Sequence, residues 1–113
     1  MTFDSGILNR NAAARRRYLD IMQSALHAVD PYQAVRAHLR VENGALWAGA
    51  ERLALGDFRR VLVVGAGKAG APMARAAEDV LGDAITAGLV VVKQGHRSPT
   101  ERVEVVEASH PIP

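Results

Sequence analysis

Val61-Leu62-Val63-Val64-Gly65-Ala66-Gly67-Lys68-Ala69-Gly70 is the stretch on which the reading of this chain turns. Residues 61–64 are all apolar and three of them are β-branched, the pattern of a buried parallel strand. The run breaks into glycines spaced G-x-G-x-x-G at Gly65, Gly67 and Gly70, and a helical pattern follows. A strand, a tight glycine turn and a helix in that order present backbone N–H groups to a phosphate. Lys68 puts a full positive charge beside a helix end whose dipole is already positive, which costs about 0.3–1 kcal/mol. A bound anion would offset that cost. Pro72 fits a helix without loss only in the first turn, where its missing N–H would be unbonded anyway. The helix therefore starts near Gly70, and Lys68 stays in the loop. The plainer alternative is that the glycines serve only close strand–helix packing and Lys68 points to solvent.

Working outward, the helix after the loop places Ala69, Met73, Ala76, Ala77 and Val80 on one face and stops at Gly82, a natural C-terminal residue. A second strand, near 88–92, is nearly all apolar and reads as interior to a sheet. A third, near 103–107, is mixed and suits an edge. On the N-terminal side, Tyr18, Ile21, Met22, Ala25, Leu26 and Val29 form one stripe of a helix from about Ala12 to Val29. Asp30-Pro31-Tyr32-Gln33 restarts a helix, with Asp30 as cap and Pro31 at the first helical position. That second helix turns Tyr32, Val35 and Leu39 inward and is expected to end before Gly44. Residues 44–58 read as a connection with a helical turn near Leu46-Trp47, and residues 1–11 as a loose lead-in. The expected fold is α/β: a Rossmann-like parallel sheet flanked by helices and preceded by an N-terminal helical hairpin. The division is a helical lead-in over 1–57 and a β-α-β core over 58–113. Three strands leave a thin, incomplete sheet with exposed edges.

Bulk properties narrow the function. Fourteen Lys and Arg against twelve Asp and Glu leave a net charge of +2, too balanced to indicate nucleic-acid or membrane binding by itself. The chain has no cysteine, which removes disulfides and thiolate metal sites and fits a reducing cytoplasm. Its first residues lack the basic and apolar regions of a secretory signal, and no stretch approaches the about 20 apolar residues of a membrane span.

The glycine motif admits several ligands. A dinucleotide site expects an acid about 20 residues on, at the end of the second strand, to hold the ribose. Lys93-Gln94-Gly95-His96 stands there instead, so NAD is disfavoured, and Lys93 would suit only the 2′-phosphate of NADP. A Walker loop needs Lys and Ser or Thr after its last glycine, where Ala71 and Pro72 stand. A protein-kinase glycine loop lies between antiparallel strands with no helix after it. Elsewhere, Arg15-Arg16-Arg17 fan out over about 200° of a helix and read as a solvated face. His27 and His38 read as surface or packing residues. Glu78-Asp79 makes no convincing acid pair, and Glu104 and Glu107 point to opposite faces of a strand. No cluster has metal-ligand spacing.

Three blocks in order, VLVVGAGKAGAPMARAAEDVLG, GLVVVKQGH and VVEASHPIP, resemble the N-terminal part of the bacterial glycerate 2-kinases, which are linked to a MOFRL domain and often named hydroxypyruvate reductases. The resemblance runs from about Ala12 to Pro113. It implies ATP-dependent phosphorylation of D-glycerate at its 2-hydroxyl, with Mg²⁺, in a cleft between a Rossmann-like domain and a smaller C-terminal domain. It carries the family's catalytic lysine onto Lys68, and backbone approach to the ligand onto Gly65, Gly67 and Gly70. Its K-x-G-H block matches Lys93, Gly95 and His96, and its S-H-P block matches Ser109, His110 and Pro111. His96 and His110 are then candidates for binding carboxylate or phosphate oxygens, or for holding loop geometry. No metal ligand is assigned within the chain. The family's chains are several times longer, so the resemblance also implies an N-terminal fragment that is inactive in isolation and lacks the second domain. Two other readings stay open: an NAD(P)H-dependent hydroxypyruvate reductase, and a non-catalytic nucleotide-binding or oligomerisation module that self-associates as a homo-oligomer.

Overall fold

A computed structural model describes residues 12–109. The lead-in at 1–11 and the block residue His110 lie outside the described residues. The chain divides into two units, residues 1–30 and 31–113. The first contains α1 (Ala12–Ala28), none of whose residues is buried. Its predicted stripe is present as an exposed one, with Tyr18 56% and Ile21 63% accessible.

The second unit begins with α2 (Pro31–His38), started by Pro31 as its fixed φ favours. A meander replaces the expected helix toward Gly44 and the expected loop over 44–58. Leu39–Glu42, Ala45–Ala48 and Glu51–Ala54 are strands β1, β2 and β3 of an antiparallel sheet, succeeded by a short 3₁₀ turn at Leu55–Asp57. Asn43 and Gly44, with φ of 53° and 73°, form the two-residue turn between β1 and β2, since Glu42 pairs with Ala45. Positive φ at both central positions is the type I′ geometry that matches the twist of paired strands, and Asn-Gly is its favoured sequence. Gly44 is thus a hairpin residue and does not cap a helix.

Strands β4 (Leu62–Ala66), β5 (Ala87–Lys93) and β6 (Val103–Ala108) form the parallel sheet in the order β4-β5-β6. The expected interior strand is β5, and the expected edge is β6. Between β4 and β5 runs α3 (Gly70–Leu81), which starts where Pro72 requires and ends at Gly82, with φ 51°. Helix α3 covers one sheet face, and Ala71, Ala74, Val90, Val92, Val103 and Val105 make the core, with Val63 packed against it. The expected face is buried at Ala76 and Ala77, but Met73 is 44% accessible and the unpredicted Ala71 is fully buried. Small residues let the helix approach the sheet closely, and α3 also packs on α2 and β1, so it buries more than one stripe.

The connection from β5 to β6, residues 94–102, contains no helix. It returns on the α3 side, where Glu78 of α3 accepts hydrogen bonds from the N–H groups of Glu101 and Val103. Both connections of the parallel sheet therefore lie on one face. Consecutive strands added in one direction with a constant crossover hand place them so. The other face, with Leu62, Val64, Leu89 and Val106, is open, and Val64 is 78% accessible. This corrects the reading of residues 61–64 as a buried strand.

Candidate active site

Parallel pairing brings the carboxyl ends of β4, β5 and β6 to one edge of the sheet. Ala66 pairs with Val91, and Lys93 pairs with Ala108. The residues leaving that edge are Gly67-Lys68-Ala69, Gln94-Gly95-His96 and Ser109. Ligands of open α/β sheets lie outside this edge.

In the first loop, Gly67 has φ 118°, which a residue with a side chain rarely adopts. Its N–H donates to Val91 O at 2.9 Å, and Gly70 N–H donates to Gly67 O at 3.1 Å. These bonds fix the loop and leave the Lys68 and Ala69 amides without a backbone partner among the described residues. Lys68 is exposed, and its ammonium has no ion pair or hydrogen bond with a described residue. The two outer glycines differ. A Cβ on Gly70 would lie 2.5 Å from Val90 Cγ1, whereas one on Gly65 would meet Val90 Cγ2 at an ordinary 3.7 Å. Gly70 is required for strand–helix contact, as the plainer alternative expected, and Gly67 for the turn.

The second block is a turn as well. His96 N–H donates to Lys93 O at 2.9 Å, and Gly95, with φ 84°, occupies the position where a type II turn needs a positive φ. Gln94 N–H donates to Ala108 O at 3.0 Å, tying this turn to the end of β6 and so to Ser109. Lys93 is half-buried, and its place in the strand puts it on the open face with Leu89 and Val91. His96 and Ser109 are exposed. The blocks at 65–70 and 93–96 hold two lysines and no carboxylate. Phosphate and carboxylate oxygens suit that balance. Among the described residues no group of three His, Cys, Asp or Glu side chains could hold a metal ion.

Two of the cavities among the described residues flank α3, and the first reaches Gly65 and Gly70. An apolar groove of about 240 Å³ runs between Val35 and Leu39 on one side and β4 and α3 on the other. A polar one of about 380 Å³ is lined by Arg75, Glu78, Asp79, Asp83 and residues 99–102. Neither is lined by Lys68, Lys93 or His96. The residue overlooked in the sequence is Glu78. Its carboxylate accepts from the N–H groups of Glu101 at 2.9 Å, Val103 at 2.9 Å and Arg102. Burial acts to raise its pKa, but the hydrogen bonds from Arg102, Val103 and Glu101 outweigh burial and the neighbouring Asp79, and the pKa is lowered. Nothing in the local sequence marks Glu78, because its partners are more than twenty residues away.

The profile of the family described as "Domain of unknown function (DUF4147)" matches residues 17–113. A protein of Pyrococcus horikoshii named glycerate 2-kinase is 35% identical over 95 residues, covering 84% of this chain and 21% of the relative. An Agrobacterium vitis protein with a provisional hydroxypyruvate reductase name is 48% identical over 54 residues, covering 48% of this chain and 14% of the relative. The crystal structure of the PH0495 protein from Pyrococcus horikoshii OT3 superposes with a TM-score of 0.76 at 34% identity, covering 88% of this chain and 22% of that one. The chain thus spans about a fifth or less of the length of the proteins it matches. With a family profile over residues 17–113 and a shared fold, the chain belongs to the DUF4147 family, the glycerate kinase family that its three sequence blocks resemble.

Proposed function

We propose that this chain supplies the phosphate-handling sheet edge of a glycerate 2-kinase, an enzyme that transfers the γ-phosphoryl group of ATP to the 2-hydroxyl of D-glycerate. The observation carrying the reading is the gathering of the Lys68 loop, the Lys93–His96 turn and Ser109 at one carboxyl edge. In the reaction the glycerate 2-hydroxyl oxygen bonds to phosphorus as the bond from phosphorus to the ADP oxygen breaks. The products are 2-phosphoglycerate and ADP, and the hydroxyl proton is released. Such transfer rests mainly on positioning and on stabilising charge at the phosphoryl oxygens. The Lys68 ammonium and the free amides beside it suit that task, and Gly67 lets the backbone approach the phosphates. Lys93 and His96 would take the remaining phosphate or carboxylate oxygens, with Ser109 beside them at the edge. Mg²⁺ would arrive with the nucleotide.

The test is ADP formation dependent on D-glycerate, ATP and Mg²⁺ by the complete gene product. Lys68→Ala is expected to lower kcat by about a hundredfold or more, the usual scale for removing a preorganised donor to developing charge. An unchanged rate in that variant would remove Lys68 from the chemistry.

The name of the Agrobacterium relative favours a second reading, in which the same edge binds NADPH, Lys93 meets its 2′-phosphate and hydroxypyruvate is reduced. Hydroxypyruvate-dependent oxidation of NADPH without glycerate-dependent ADP formation would establish that reading in place of the first.

A further inference from the structure

We propose that Glu78 is a positioning residue for the His96 turn, acting through the 94–102 crossover as a strap anchored at its far end. This rests on the kinase reading for its catalytic consequence, though the mechanical coupling stands apart from it. The register sets the geometry. The strap leaves the sheet after Lys93 and re-enters at Val103, which pairs with Gly88. It must therefore run back along five residues of strand, about 17 Å at the rise of a parallel strand. It must also step sideways by one strand spacing, about 4.8 Å.

Only part of the strap is available for that journey. Residues 93–96 are closed into the turn by the His96 N–H bond to Lys93 O, and Gln94 N–H is bound to Ala108 O. From His96 to Val103 an extended chain reaches about 24 Å, against a span of about 18 Å, so the strap uses about three quarters of its reach before it rises off the sheet toward α3. Its far end is held by the N–H groups of Glu101, Arg102 and Val103 on the Glu78 carboxylate. The Thr100 hydroxyl adds a bond to Val103 O at 2.6 Å. A carboxylate binding successive N–H groups makes charge-assisted bonds, about twice as strong as neutral ones. Release of this anchor frees residues 97–100, and the His96 turn is the next point at which the strap's backbone is held. Helix α3 links the two ends, because its first turn packs on β5 beside the Lys68 loop and Glu78 lies near its last turn.

Charged groups around Glu78 define what else acts on the anchor. Arg75 and Asp79 come from α3, Asp83 from the turn after it, and Glu101 and Arg102 from the strap, with Arg102 paired to Asp83.

Residue-resolved hydrogen exchange on the full chain tests the coupling without any enzymatic assay. In Glu78→Gln, protection of the amides of 101–103 is expected to fall about tenfold or more, and protection of Gln94 and His96 to fall with it. The protected amides of β4 and α3 should stay within about twofold. A complementary variant inserts two glycines between Ser98 and Pro99, leaving Glu78 and its bonds in place. It should loosen Gln94 and His96 while 101–103 remain protected, and it covers the case in which Glu78→Gln fails to fold. Loss confined to 101–103 in the first variant, or unaltered protection at 94 and 96 in the second, would overturn the inference. In the complete enzyme both variants should raise the KM for D-glycerate several-fold with kcat within about twofold. If the coupling is seen but the wild type forms no ADP from ATP and glycerate, the kinase reading fails while the strap stands. Equal losses of kcat and KM effects without the exchange signature would mark Glu78 as structural only.

Discussion

Gly65 and Gly70 frame the same motif, yet the fold uses them differently. A methyl group on Gly70 would press to 2.5 Å from Val90 Cγ1, while one on Gly65 would make an ordinary contact. Gly70→Ala should therefore destabilise the chain by about 1–3 kcal/mol, as overpacking does. Gly65→Ala should stay within about 0.5 kcal/mol; chemical denaturation of the two variants checks the contrast. Glu78 gives a pH prediction. Its folded pKa is lowered from an ordinary 4.5 by the three backbone N–H groups, so its contribution is fully present above the unfolded value. That contribution is lost as pH falls through the folded value. Denaturation midpoints of wild type and Glu78→Gln, measured from pH 7 to pH 3, should differ most near neutrality and converge in acid. Lys68 and Lys93 are legible as site candidates from the motif and its missing ribose acid, and His96 only from the resemblance of its block to the family's. The role of Glu78 is not, because a mid-helix glutamate looks the same in sequence whether it faces water or three distant amides.

At the scale of elements, the strand–loop–helix at 62–81 and the start of α2 at Pro31 follow from signals contained within a few residues: an apolar run, spaced glycines, and a proline at a permitted position. The meander β1–β3 carries conflicting signals. Leu39 continues the helical spacing of Tyr32 and Val35, and Gly44 looks like a helix stop. Yet Leu39-Arg40-Val41-Glu42 alternates, and Asn43-Gly44 is a hairpin turn. Pairing across that turn wins because a helix extended to Gly44 would forgo it. Arg40 stacks over the ring of its cross-strand partner Trp47, 4.8 Å from the centroid, which only the hairpin permits. Gly44→Ala, forced to hold φ near 73°, should cost about 1 kcal/mol. Thermal melting should show it, while Gly56→Ala, where a Cβ meets nothing and no positive φ is needed, should melt like wild type.

For the whole molecule, the consequence of topology is an open apolar sheet face. Leu62, Val64, Leu89 and Val106 are 57%, 78%, 45% and 38% accessible. Contiguous exposed apolar residues on a sheet with an unpaired edge favour self-association. Val64→Lys should lower concentration-dependent association in sedimentation while changing stability by about 0.5 kcal/mol or less, because so little of Val64 is buried. No helix of the described residues is long and apolar enough to cross a membrane.

The sequence by itself determined where β4, α3, β5 and β6 lie, that the sheet is parallel, and which residues leave its carboxyl edge. Each of these rests on backbone preference and periodicity over a span of about ten residues, and short-range physics is written in local sequence. Only the tertiary structure decided that β4 is exposed, that 39–54 pairs as a meander, that α3 buries Ala71 where Met73 was expected, and that Glu78 holds the strap. Those outcomes depend on which surfaces meet, and a residue's own neighbours in sequence do not specify what lies across from it in space.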